Sequence, residues 1–142
     1  MDSQIIIRNY HISDFEQVKE LLLESQLFHP VSDTITSFEK KSKEDPESLV
    51  VAESSGQIIG FMIIIFDPWM SAIYRLAVSN SYRNQGIGTS LVQEAKNRLR
   101  ARGIKFFCFF VNPNNTVMLK FCEQNGVQLI NFGPYFYFAE ML

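Results

Sequence analysis

The sequence predicts an α+β fold, an α/β chain in the broad sense, in the order β-α-α-β-β-β-α-β-α-β-β. That order amounts to about seven strands and four helices in a single domain over residues 1–142. Three observations carry the prediction. An apolar strand pattern at 72–78 runs through a polar turn into a helix that opens Gly86-Ile87-Gly88. Two strand-like segments flank Ser54-Ser55-Gly56-Gln57, a hairpin turn by composition. A continuous apolar run at 104–111 follows the helix and reads as a buried strand. A chain of 142 residues is long enough to bury roughly 70% of its unfolded surface in one core.

Taken in order, 5–8 reads as the first strand. Ser13 with Glu16 three residues on forms a capping box, after which Phe15, Val18 and Leu22 share one helical face. A loop at 27–33 leads to a second short helix holding Ile35 and Phe38. Strands follow at 49–53, 58–66 and 72–78. Leu91, Val92, Ala95 and Leu99 mark an amphipathic helix that Gly103 closes as a C-cap. After the strand at 104–111, Asn112-Pro113-Asn114-Asn115 caps another helix, with Val117, Met118, Phe121 and Cys122 on its inner face and Asn125-Gly126 at its end. Two final strands are expected near 127–130 and 135–141.

The glycine turn is the chemically informative segment. A helix opening on Gly-x-Gly leaves backbone N–H groups unpaired at its positive end, and glycine lets a ligand approach closely. The natural guest is an anion, most often a phosphate. A dinucleotide fold needs G-x-G-x-x-G and a later acidic residue, but Leu91 stands at the third glycine position and the next strand has no carboxylate. A P-loop needs G-x-x-x-x-G-K-[ST], and the chain has none.

What remains is Arg83-Asn84-Gln85-Gly86-Ile87-Gly88, which is similar to the Arg/Gln-x-x-Gly-x-Gly/Ala signature of the GCN5-related N-acetyltransferases, the GNAT superfamily. The element order resembles that family over essentially the whole chain. The resemblance implies a central mixed, mostly antiparallel sheet and acetyl-CoA as co-substrate. It implies that Arg83, Asn84, Gln85, Gly86, Ile87, Gly88 and Thr89 wrap the pyrophosphate. Backbone groups of Leu76, Ala77 and Val78 would pair with the pantetheine arm as an added strand. The Val78 N–H would support the oxyanion of the tetrahedral intermediate. Asn115 matches the family's asparagine at the next helix start, where ligand contact and N-capping are both open roles.

Two features depart from the pattern. The family helix reads Asn-x-x-Ala-x-x-x-Tyr-Glu-x-x-Gly-Phe, with the tyrosine as general acid, whereas Cys122 stands at the tyrosine position. A thiol with a reference pKa near 8.5 is chemically able to protonate a leaving thiolate, although a small core side chain is the favoured reading. Candidate bases are Asp67, Tyr74 and His29, each more naturally structural, and a water relay is the alternative. The loop Leu27-Phe-His-Pro30-Val-Ser-Asp33 with Lys41 resembles a small prokaryotic branch carrying Leu-x-x-Pro-x-x-Asp there. That branch has Asp-Gly and an arginine after strand three, where this chain has Asp67-Pro68-Trp69-Met70. Asp33 and Lys41 read as a helix cap and a surface charge.

Composition narrows the partners. A net charge of −2 gives no electrostatic footprint for nucleic acid. The local run Lys96, Arg98, Arg100, Arg102 and Lys105 reads as a solvated helix face, with an acidic partner or the 3′-phosphate of CoA as the other readings. Two cysteines without C-x-x-C and two histidines make a metal site unexpected. The N-terminus lacks a signal pattern, and the run at 58–66 is too short to cross a bilayer, so a cytoplasmic location without membrane contact is expected. The implied partners are acetyl-CoA and an amine acceptor, small molecule or peptide. The aromatic stretch at 132–138 is a core strand or the edge of a homodimer. The expected activity is transfer of an acetyl group to a primary amine by direct attack. An acyl-CoA-binding module with weak or lost activity is the alternative, and a protein-interaction domain a third reading.

Overall fold

Apolar segments pair in sequence order to build the sheet. β1 (Ile5–Asn9), β2 (Leu49–Ser54), β3 (Gln57–Ile65) and β4 (Ala72–Val78) form successive antiparallel pairs, and β5 (Cys108–Phe109) adds in parallel to β4. The computed structural model describes residues 4–111 and 114–126. The chain divides into two units, Met1–Phe110 and Val111–Leu142. The sheet of the described residues has five strands, not about seven; the two final strands expected near 127–130 and 135–141 lie outside the described residues.

Cross-strand partners share a face, so the register assigns every side chain in the middle of the sheet. The rows Val51–Phe61–Ala77 and Leu49–Ile63–Arg75 point one way. Against them pack α1 (Phe15–Glu24) and α2 (Ile35–Glu44), through Phe15, Val18, Leu22 and Phe38. Phe38 stacks on Phe61 with centroids 5.7 Å apart and meets Tyr10 and Phe15 edge-on. The rows Val50–Met62–Leu76 and Ala52–Gly60–Val78 point the other way, towards α3 (Ile87–Ala101).

Gly60 sets how closely α3 lies. A Cβ there would meet Leu91 Cδ1 at 3.0 Å and Ile87 Cγ2 at 3.3 Å, so the missing side chain is the notch into which the first two turns of α3 seat. Leu91 is fully buried in that seat. Truncating a leucine in such a place costs about 2–5 kcal/mol. The notch thereby fixes the start of α3 beside the end of β4, since Gly60 pairs with Val78. At its other end α3 is held by Arg98, whose Nη1 donates to Asn9 Oδ1 (2.6 Å) and to the Glu47 carbonyl (2.9 Å). Arg102 forms a fork onto Asp45 (2.7 and 2.8 Å) and lies over the Phe66 ring. These two cations therefore tie α3 to neighbouring segments, Arg98 from a partly buried position and Arg102 from an exposed one.

Three further expectations are corrected. The first helix is not capped by Ser13 and Glu16. A 3-10 turn at Ile12–Asp14 precedes it, and Asp14 reaches back to accept the His11 N–H at 2.8 Å. Asp14 wins the position because Arg8 donates to both its carboxylate oxygens, at 2.8 and 3.0 Å. The apolar run at 104–111 is not a long buried strand: only Cys108 and Phe109 pair with β4, and Phe106 and Phe110 are exposed. In the second unit, α4 (Thr116–Gln124) runs from Asn115 and ends before Gly126, whose φ is +72°. Val117, placed inward by its spacing, is exposed.

Candidate active site

The parting of β4 from β5 creates the first element of the site. Parallel pairing covers Ala72–Cys108 and Ile73–Phe109 and then stops. At that point the register of β3 against β4 slips, with Ile64 opposite Ile73 but Ile63 opposite Arg75, so Tyr74 is the extra residue of a β-bulge. Beyond the bulge, Leu76, Ala77 and Val78 pair with β3 on one side. Their other edge has no strand partner among the described residues. An exposed strand edge of this kind is a template for an extended ligand carrying amide groups.

The second element follows directly. Ser79 N–H donates to the Ile59 carbonyl (2.8 Å), a 3-10 turn spans Asn80–Tyr82, and the Asn80 N–H is held by Glu24 Oε1 (2.8 Å). Arg83 is extended, with its Nε 3.4 Å from the Val78 carbonyl, and Asn84 takes a left-handed φ of +62°. Gly86, at φ +79°, is the N-cap of α3 and brings no side chain to cap its first turn. A Cβ at Gly86 would meet nothing within 4 Å, so backbone conformation demands the glycine and the space above it is open. Arg83, Asn84, Gln85 and Thr89 are exposed around this helix start, while Ile87 is buried as its anchor. The arrangement presents the positive end of a helix of 15 residues to solvent, the physical requirement for an anion site.

The other sequence candidates are placed individually. Asp67 sits in the turn after β3, where its Oδ1 accepts the N–H groups of Trp69 (2.8 Å) and Met70 (2.9 Å). Ser71 Oγ bonds the Asp67 carbonyl at 2.7 Å and completes the turn. Tyr74 is 42% exposed, edge-on to Phe110 and over the Arg75 guanidinium. His29 is exposed, with Nδ1 3.1 Å from Ser32 Oγ. Asn115 Oδ1 accepts the Met118 N–H at 3.1 Å, which is the N-cap geometry. Cys122 is buried, and desolvation pushes its thiol pKa above the ordinary value.

The sequence reading missed an ion pair. Arg75 Nη1 donates to Asp33 Oδ2, and the residues expose only 9% and 5% of their surface. Asp33 does not cap α2; Thr34 does, accepting the Ser37 N–H at 3.1 Å. Asp33 instead closes the turn at 29–33 by accepting the His29 N–H (2.7 Å). The pair ties the loop between α1 and α2 to the face of β4 opposite α3. Its one sequence signal was a lone charge in the apolar strand Ala-Ile-Tyr-Arg75-Leu-Ala-Val. Among the described residues no cluster of three or more metal-binding side chains occurs, and no helix is long and apolar enough to cross a membrane.

Comparison with known proteins identifies the family and the fold. The family model described as acetyltransferase (GNAT) family matches residues 15–127. An acetyltransferase of Sodalis glossinidius is 30% identical over 118 residues, 83% of each chain. Among solved structures, the PaiA N-acetyltransferase of Thermoplasma acidophilum in complex with coenzyme A superposes with a TM-score of 0.76 at 20% identity, covering 86% of this chain and 88% of that one. A GNAT-family acetyltransferase of Staphylococcus aureus Mu50 gives 0.79 at 22% identity, covering 93% and 89%. At those identities the structures speak for the fold, and the sequence matches for the family. The chain belongs to the GNAT family of acetyltransferases.

Proposed function

We propose that this GNAT acetyltransferase moves an acetyl group from acetyl-CoA to a primary amine by direct attack in a ternary complex, and that residues 1–142 are a single domain. The observation that carries the reading is the juxtaposition of an open β4 edge with an uncapped glycine helix start. A thioester ligand bears a pyrophosphate at one end and an amide-rich arm at the other. The residues fit both: Arg83 to Thr89 around the α3 start for the pyrophosphate, and the free edge at Leu76, Ala77 and Val78 for the arm. Asn115 would meet the same arm with whatever capacity its cap bond leaves.

The step balances simply. The amine lone pair forms the new C–N bond, the oxyanion is held by the Val78 N–H, and the C–S bond breaks to release the CoA thiolate. The attacking nitrogen loses its proton to solvent water or a nearby base, and the thiolate takes one up. Asp67 is a weak candidate for that base because one carboxylate oxygen already holds two N–H groups of its own turn. Cys122 keeps its proton at neutral pH, as its raised pKa requires, so it is a donor in charge state. Proximity supplies much of the rate, since both reactants are held together.

The deciding experiment is CoA thiol release from acetyl-CoA across a panel of amines and peptides, with a no-acceptor control. Acceptor-dependent release supports the reading and identifies the acceptor class. Acetyl-CoA that fails to bind refutes the assignment at Arg83–Thr89. Cys122→Tyr tests the acid position: a gain of about tenfold or more in kcat marks a proton-delivery role, and an unchanged kcat places Cys122 outside the mechanism.

A further inference from the structure

The basic run along α3 contains two kinds of cation. Arg98 and Arg102 are fully engaged, with Glu94, Asn9, Glu47 and Asp45 as partners. Lys96, Arg100 and Lys105 have no carboxylate partner among the described residues. Lys96 and Arg100 are four residues apart and share one helix face. These three cations stand around a recess of about 340 Å³ whose remaining walls are Leu99, Ile104, Phe106 and Phe107.

The way α3 ends builds this recess. Gly103, at φ +73°, donates its N–H to the Arg100 carbonyl (2.9 Å), and Ile104 donates to the Leu99 carbonyl (3.0 Å). That pair of bonds is a Schellman motif, which turns the chain back on the helix and runs residues 105–107 alongside its last turns. It also occupies two of the terminal carbonyls whose partial negative charge would otherwise repel an anion. Phe106 remains 51% exposed, although it belongs to the apolar run. The recess lies at the far end of α3 from Gly86, its first lining residue Lys96 about 15 Å along the helix axis, so it does not rest on the acetyl-CoA reading.

We propose that this recess is a binding site for a small amphipathic anion: an aromatic or short acyl body bearing a carboxylate, sulfonate or phosphate head. Its volume is at the lower end of small-molecule pockets, and its lining combines an apolar floor with a few convergent polar groups. Three cations at its rim, without a carboxylate partner among the described residues, select for negative charge, and the phenylalanines select for an apolar body. An extended acidic chain would use the cations but leave the floor empty.

The test uses the full chain saturated with CoA and titrated with the fluorescent probe 8-anilinonaphthalene-1-sulfonate. The expected result is one saturable site whose affinity falls about tenfold in Lys96→Gln and in Arg100→Gln, with the melting temperature of each variant confirming the fold. Lys105→Gln provides a third variant on a different segment. The uncharged N-phenyl-1-naphthylamine is expected to bind at least about tenfold more weakly, because it lacks the head group. Non-saturating binding, or equal affinity in all the variants, would overturn the proposal.

Discussion

Breaking the Arg75–Asp33 pair should be far more damaging than replacing it. Both groups are buried, at 9% and 5% exposure, so solvent screening does little for either. Asp33→Asn keeps an oxygen for the His29 N–H and changes almost no volume, yet it leaves the Arg75 guanidinium without its counter-charge. An uncompensated buried charge costs about 3–5 kcal/mol. Arg75→Met strands the carboxylate on a single backbone donor and should cost a similar amount. The double variant removes both charges and should cost less than either single change, which requires a coupling of at least about 3 kcal/mol. Against a total stability of about 5–15 kcal/mol, either single change is a large fraction. For a chain of this size it corresponds to a fall in melting temperature of roughly 10–20 °C. Urea unfolding followed by circular dichroism on the three variants gives all the terms. Single variants that each cost under about 1 kcal/mol, or losses that simply add in the double variant, would refute the reasoning.

Further outcomes follow from the same geometry. Gly86→Ala forces a Cβ into a left-handed conformation and should cost about 1 kcal/mol in stability. Because that Cβ touches nothing in the protein, any larger loss in acetyl-CoA affinity, measured by calorimetry, reports how closely the ligand approaches. Asn115→Ala removes the cap of α4 and should cost about 1 kcal/mol, visible as faster amide exchange in the first turn of that helix. Acid sensitivity should trace to Asp14 and Asp45. Burial raises the Asp14 pKa, but hydrogen bonds from Arg8 and the His11 N–H outweigh it, and the net value is lowered. Asp45 is lowered chiefly by Arg102. Folded values below unfolded ones mean that this stability is complete above the ordinary carboxylate range and is lost as pH falls through the folded values. Urea midpoints measured from pH 7 to 3 should therefore fall less steeply in Asp14→Asn than in the parent chain.

Local periodicity and punctuation made most of the fold legible. The continuous apolar runs of β2 and β3, the hairpin at 54–57, the apolar stripe of α3 and the Gly103 stop all follow from residues close together in the chain. The glycine start of α3 was legible for the same reason, since glycine spacing is a local requirement. What stayed hidden depended on partners distant in sequence. Arg75 and Asp33 are 42 residues apart, and Arg98 reaches Asn9 across 89. Ser13 and Glu16 form a valid capping box by spacing, but a cap is a competition, and Arg8 decides it for Asp14 from the neighbouring strand. In the same way, an apolar run at 104–111 says that a strand is affordable, not how far its neighbour will accompany it.

The bulge at Tyr74 explains that last point and ties the fold to the site. Under strict alternation, Ile73 would share a face with Arg75, and Tyr74 would lie beneath α3 with Leu76. One extra residue in β4 changes the parity: the register now carries Ile73 to the face of Ile64 and Met62, where it is 1% exposed, and releases Tyr74 outward. Arg75 keeps the opposite face, where Asp33 waits. A bulge also increases local twist, and the strand beyond it turns away from its flat neighbour. Pairing with β5 ends at Ile73, immediately before the bulge. The open edge at Leu76, Ala77 and Val78 is thus a consequence of how an apolar residue, an aromatic and a cation are sorted between two faces. The sequence specifies that sorting through core packing. The open edge arises from it without any dedicated side chain.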